Sequence, residues 1–178
     1  MTEWMQTFSG TKFKPLSPVV DDIHIGDIAH SLSLQCRYAG HCLQFYSVAE
    51  HSVLIARHLA GSYSPAVALW GLLHDAPEAY LVDVPRPIKP FLPGYAQMEG
   101  RLMSAIAKRY ALTYGMPSAV KEADSRILND ERIQNMSEPP APWAGPQEPL
   151  GVILQFWSPT EAEHEFLHTF HSLVGDSS

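Results

Sequence analysis

Leu72-Leu73-His74-Asp75-Ala76-Pro77-Glu78-Ala79-Tyr80 closes an apolar run that begins at Ala66, just after Pro65. The run Ala66, Val67, Ala68, Leu69, Trp70, Leu72, Leu73 is apolar nearly all round, the pattern of a central buried helix. Pro77 removes a backbone donor and clashes with the preceding turn, so that helix ends or kinks near Asp75. His74 and Asp75 are therefore polar groups carried into the interior, which costs several kcal/mol unless something compensates. A metal ion compensates, and so does a hydrogen-bonded pair. Glu78 follows four residues after His74 and three after Asp75, which keeps it on their side of a helix or kinked turn.

The rest of the chain bounds the class. At 178 residues it fits one domain, 1–178, with enough length for a substantial core. Hydrophobic residues make up 46% and charged residues 17%, a globular composition. The net charge of −7 argues against a general nucleic-acid binder, while leaving room for a small anionic substrate in a local cationic pocket. Cys36 and Cys42 are too few for a disulfide framework and read as buried free thiols in a reducing compartment. Met1-Thr2-Glu3-Trp4 opens no signal peptide, and no apolar run reaches the ~20 residues that span a bilayer. The expectation is a cytoplasmic protein without a membrane segment. A homo-oligomer is compatible with this composition.

Working outward gives the elements. Phe8-Ser9-Gly10-Thr11-Lys12-Phe13 is a turn signal between aromatic flanks, hence a small N-terminal β-hairpin. Asp27 is expected to cap a helix reaching about Gln35. Cys36-Arg37-Tyr38-Ala39-Gly40-His41 follows as the richest polar loop of this half. Ser47 caps the next helix, with Glu50 placed for a capping box. Asp83-Val84-Pro85-Arg86-Pro87-Ile88-Lys89-Pro90 reads as rigid, turn-like loop. Tyr95 to Tyr110 and Pro117 to Met136 are amphipathic helices. Residues 137–157 are Pro-rich loop, with one short strand expected over Gly151–Phe156. A C-terminal helix over 158–174 starts at Ser158 and Pro159. Its histidines His164, His168 and His171 fall on a face away from Phe166 and Phe170, and read as a solvated stripe. The fold class is all-α, with about six or seven helices.

Two further residues share the anomaly of His74-Asp75. His51 lies at the edge of the apolar stripe of its helix, about 40° from Ile55 at 100° per residue. A core histidine bonded to a backbone carbonyl is the plain alternative. Asp124 lies beside the inward face of its helix, four residues after Val120 and three before Ile127. A carboxylate there requires a cation partner, either an arginine or a metal.

Together these residues resemble a known family. The pattern of Arg37, His51, His74-Asp75 and Asp124, with Glu78 after the His-Asp pair, resembles the HD-domain metal-dependent phosphohydrolases. Cys36-Arg37-Tyr38, Ser47 to Ser52, Leu73 to Glu78, Asp83 to Lys89 and Val120 to Asp124 are similar to motifs of the bacterial 5′-deoxynucleotidases and the related phage dATP triphosphohydrolases. The resemblance covers about residues 27–136, the core, and implies an HD-domain helical bundle. It implies His51, His74, Asp75 and Asp124 as metal ligands, Glu78 as the proton-handling carboxylate and Arg37 as the phosphate-orienting cation. It implies substrate contacts from Tyr38, where the deoxynucleotidases have a tryptophan, and from Asp83, Val84, Pro85, Arg86 and Lys89. His41 joins the substrate-binding candidates from the residues alone, since it has no counterpart in that family.

The donor chemistry agrees with the resemblance. Two imidazoles and two carboxylates suit one divalent transition metal, Mn²⁺, Co²⁺, Zn²⁺, Fe²⁺ or Ni²⁺, better than Mg²⁺ or Ca²⁺. The expected function is hydrolysis of a small nucleotide, with Asp75, Glu78 and Arg37 catalytic. A signalling-nucleotide pyrophosphohydrolase and a non-catalytic nucleotide-binding regulatory module are the alternatives. Oxygen activation at a dinuclear iron site would need His41 or His58 as additional ligands.

Overall fold

The computed structural model describes residues 3–113, 115–143 and 148–175. The fold is all-α with a small hairpin at its start. Strands β1 (Met5–Gln6) and β2 (Lys12–Phe13) pair antiparallel, Met5 opposite Phe13. The helices are α1 (Ile25–Leu34), α2 (Val48–Ala60), α3 (Pro65–Leu73), the single turn α4 (Glu78–Leu81), α5 (Tyr95–Arg109), α6 (Ser118–Asn135) and α7 (Pro159–Val174). Among the described residues no helix is long and apolar enough to cross a membrane.

The apolar run of the sequence becomes α3, buried from Ala68 to Leu73. It packs chiefly on α2, and α7 lies against α1, α2 and α3. Helix α6 closes on α2 and α3, and brings Val120, Ala123 and Ile127 into a second apolar cluster with Tyr46, Leu54 and Trp70. Gly71 lets α2 and α3 approach closely. A Cβ there would meet Leu59 Cδ1 at 2.7 Å and Ile55 Cγ2 at 3.1 Å. Gly71→Ala should therefore cost about 1–3 kcal/mol, the usual penalty of overpacking, read as a lower urea midpoint at an unchanged slope.

Three local expectations are corrected by tertiary partners. The cap of α1 is His24, and Asp27 instead sits in the first turn. Its carboxylate accepts from Ser9 N at 2.6 Å and Ser9 Oγ at 2.9 Å, tying the hairpin to the helix. Ser47 does cap α2, accepting from Glu50 N, but Glu50 completes no capping box. Its buried carboxylate reaches across the fold and accepts from the backbone N–H groups of Gln155, Phe156 and Trp157. The segment Gly151–Phe156 is no strand either, since among the described residues it pairs with no other segment in a sheet. Its backbone donors are taken by side chains. Asp130 accepts from Leu150, Gly151 and Val152, and Gln134 from Leu154. The capping box appears at α7, between Ser158 and Glu161. His164, His168 and His171 are exposed, as a solvated stripe should be. Residues 144–147 of the expected Pro-rich loop lie outside the described residues.

Candidate metal centre

Five pieces of chain bring their polar groups to one place. Helix α2 supplies His51, the end of α3 supplies His74 and Asp75, α4 opens with Glu78, α6 carries Asp124, and a tight 3-10 turn over Arg37–Gly40 carries Arg37. Pro77 acts as expected. Helix α3 stops at Leu73, so Asp75 and Glu78 project from separate short turns.

His51 Nε2 lies 3.4 Å from Asp124 Oδ1 and 3.6 Å from Asp75 Oδ2. His74 Nε2 lies 3.2 Å from Asp75 Oδ2 and 3.8 Å from Asp124 Oδ1. Both Nε2 atoms are buried and neither has a hydrogen-bond partner. The opposite ring nitrogens are fixed. His74 Nδ1 bonds Gly71 O at 2.8 Å, and a carbonyl only accepts, so Nδ1 carries the proton. His51 Nδ1 bonds Glu131 Oε1 at 2.6 Å. Burial opposes ionisation of Glu131, but Arg37 and His51 outweigh it and draw its pKa down to about 2, so this partner too is an acceptor. With Nδ1 held by an acceptor, each ring is set to present Nε2 to a metal ion beside Asp124, the orientation a ligand needs. Ligand atoms of His51, His74 and Asp124 lie within 4.8 Å of one another, so these three could hold a metal ion, and no other such cluster occurs among the described residues. Asp75 reaches both imidazoles as well, and is also drawn toward Arg37 Nη1 at 3.7 Å.

The charges are mutually dependent. Burial disfavours the ionised forms of Asp75 and Asp124, yet the two imidazoles overcome it and hold both carboxyls well below the usual range. Burial lowers His74, and the nearby Asp75 and Asp124 carboxylates more than reverse it. A cation, whether proton or metal, is what this cluster is built to accommodate.

Glu131 is the site residue that sequence reading missed. It is fully buried, and its two oxygens serve three neighbours: Oε1 takes His51 Nδ1, while Oε2 takes Arg37 Nη2 at 3.3 Å and the Tyr38 hydroxyl. It follows Asp124 by seven residues on α6, two turns along the same face. Tyr38 and Ala39 hold left-handed φ values of 57° and 51°, a conformation that costs a non-glycine residue of order 1–3 kcal/mol. The bond from Tyr38 to Glu131 and the Arg37 N–H donated to Tyr46 O hold that turn in place.

The centre opens into a cavity of about 670 Å³. Arg37, Tyr38, Asp75, Glu78 and Asp124 line it, together with Asp83, Val84, Pro85, Arg86 and Lys89 from the proline-dense loop. Gln35 anchors that loop, a role its sequence context did not announce: its Oε1 accepts from Asp83 N and its Nε2 donates to Glu78 O. Arg86 is largely exposed and its Nη2 reaches Asp124 Oδ2 at 2.8 Å. Asp124 thus has the arginine expected as one alternative on Oδ2, while its Oδ1 faces the two imidazoles. His41 is exposed and is not among the residues lining the cavity, and His58 is exposed too, so neither is brought to the cluster. Cys36 and Cys42 are free and half-buried rather than buried, with Sγ atoms 3.5 Å apart.

Glu78 is buried. Lys89 Nζ donates to its Oε1 at 3.1 Å and to Glu99 Oε1 at 3.1 Å, while Oε2 has no partner. Burial first, then the charges of Asp75 and Asp83, push the Glu78 carboxyl up to about 8 against the pull of Lys89. A carboxyl raised on folding binds its proton more tightly in the native state than in the unfolded one. Its contribution to stability is therefore present below the unfolded value and lost as pH rises through about 8. Metal-free Glu78→Gln protein should lose less stability than the unsubstituted chain between pH 5 and pH 9. The gap should reach a few kcal/mol at the alkaline end. Urea midpoints across that range check this, and parallel curves for the two proteins would refute it.

No protein-family model matches the chain. An uncharacterized protein of Escherichia coli (strain K12), YfdR, is 43% identical to it over 129 residues, which are 72% of this chain and 70% of YfdR. The chain belongs to the YfdR family. The uncharacterized protein RCAP_rcc00048 of Rhodobacter capsulatus is 34% identical to it over 187 residues, 96% of this chain and 95% of that protein. The similarity to RCAP_rcc00048 thus extends over nearly the whole chain, and that to YfdR over about seven tenths of it.

Proposed function

We propose that the chain is a metal-dependent phosphohydrolase of the HD type, acting on a small nucleotide, with deoxynucleotides as the leading substrate class. One observation carries the reading. The buried, unpartnered Nε2 atoms of His51 and His74 face Asp124, which itself lines a cavity together with Arg37 and Glu78. His51, His74, Asp75 and Asp124 would hold one divalent transition ion, Mn²⁺, Co²⁺, Zn²⁺, Fe²⁺ or Ni²⁺, to which two imidazole nitrogens are suited. When bound, such an ion supplies Lewis acidity toward a phosphoryl oxygen and favours ionisation of water near neutral pH.

The chain's own groups do the rest. Arg37 is buried and its Nε has no partner, so the guanidinium keeps donor capacity for a phosphoryl oxygen and offsets charge building on it. Asp75 stays ionised and accepts a hydrogen bond from water, aiming its oxygen at phosphorus. Glu78 holds its proton near neutrality and passes it to the leaving oxygen as the P–O bond breaks. Lys89 and Arg86 add positive charge on the side where further phosphates would extend. The free thiols of Cys36 and Cys42 suit a reducing compartment, and we assign the chain to the cytoplasm on that basis.

The test is a product-resolved screen of ribo- and deoxynucleoside mono-, di- and triphosphates with Mn²⁺, Co²⁺ and Zn²⁺. Release of phosphate, pyrophosphate or triphosphate that vanishes in Asp75→Ala is expected. Metal saturation and nucleotide binding without any such release would favour a regulatory module over an enzyme.

A further inference from the structure

One end of the cavity is aromatic, and none of the catalytic roles above uses it. Trp143, from the loop between α6 and α7, lines the same cavity as Arg37 and Asp124, with Leu128 of α6 beside them. Its ring centroid lies 6.0 Å from that of Tyr38, with the planes inclined by 50°. Tyr38 cannot swing away, because its hydroxyl is bound to Glu131 and the Arg37 guanidinium lies 5.5 Å from its ring centroid. Trp143 therefore packs beside a fixed ring, and the two together make the aromatic wall. A volume of about 670 Å³ falls within the range of small-ligand sites and far exceeds what a phosphate group fills. Arg37, Arg86 and Lys89 account for the anionic part of a ligand, and the aromatic wall calls for a flat, weakly polar part.

We propose that Trp143, braced by Tyr38, is the nucleobase-binding wall of this site, so that the ligand lies with its phosphate at Arg37 and its heteroaromatic ring against the indole. The proposal rests on the phosphohydrolase reading and names the part of the substrate that reading leaves open. Stacking is tolerant of base identity, because every base presents a π-face. The wall thus selects nucleotides over sugar phosphates and discriminates little between bases.

The experiment uses full-length, Co²⁺-loaded protein in a Glu78→Gln background, which reads binding without turnover. Deoxyadenosine mono- and triphosphate are the probes, and 2-deoxyribose 5-phosphate is the base-free comparator, all by titration calorimetry. Trp143→Ala should weaken nucleotide binding about tenfold, the scale of stacking one base on an aromatic ring, and leave the sugar phosphate unchanged. Trp143→Phe should restore most of the loss. Equal weakening of both ligand types, or no weakening, would overturn the proposal, and a urea midpoint for Trp143→Ala guards against a folding defect. The two readings separate cleanly. Turnover by the unsubstituted chain with undiminished nucleotide affinity in Trp143→Ala sinks only the wall. Selective loss of nucleotide binding in a chain that releases no phosphate sinks only the hydrolase. Absence of nucleotide binding sinks both.

Discussion

Glu131→Ala is expected to destabilise the protein by about 3–5 kcal/mol and to weaken Co²⁺ binding roughly 10–100-fold. The stability loss follows from Arg37, a buried guanidinium that would keep only the more distant Asp75 at 3.7 Å. It also follows from the strained turn at Tyr38, which would lose the bond that restrains it. The affinity loss has a separate cause. Without an acceptor at Nδ1, the His51 ring is free to rotate and to exchange tautomers, so its Nε2 lone pair is no longer fixed toward Asp124. Glu131→Gln separates the two effects. It keeps the shape and much of the hydrogen bonding while removing the charge, so it should cost less stability than alanine. Urea unfolding and a Co²⁺ absorption titration measure the two quantities. A loss below about 1 kcal/mol with unchanged Co²⁺ affinity would show that the carboxylate organises nothing.

The second large effect concerns chemistry. In the phosphohydrolase reading, Glu78→Gln should lower kcat by roughly 10²–10⁴ while leaving metal content and nucleotide affinity in place. Glu78 contacts Lys89 through Oε1, and its other oxygen is buried and free of partners, so glutamine fits without disturbing either imidazole. Metal analysis beside initial rates reads this directly. Loss of the metal in Glu78→Gln would reassign the residue from proton transfer to ligation, and an unchanged kcat would remove it from the mechanism.

The sequence made legible those groups whose neighbours along the chain contradict them. His74-Asp75 stood out because it ends an apolar helix, and His51 and Asp124 because they intrude beside apolar faces. All four meet in the fold. Glu131 was hidden by its setting in Asn129-Asp130-Glu131-Arg132, which reads as the solvated side of a helix although Asp130 and Glu131 are both buried. The seven-residue step from Asp124 was the available signal. Glu50 was misread for a different reason. A local rule already supplied it with a partner three residues away, and only the fold reveals that three backbone donors of a remote segment claim it. Trp143 lies in a proline-rich loop with no periodicity, so nothing in the chain aimed it at the cavity.

The segment Leu150-Gly151-Val152-Ile153-Leu154-Gln155-Phe156-Trp157 has a further consequence. It is uncharged, free of proline and rich in β-forming residues, the composition of a cross-β seed, and Ile153 is exposed. Yet Asp130, Gln134 and Glu50 occupy the N–H groups of Leu150, Gly151, Val152, Leu154, Gln155, Phe156 and Trp157. An incoming strand would find almost no donors to pair with. The same side chains that moor the last loop thus also guard the native protein against edge-to-edge strand pairing.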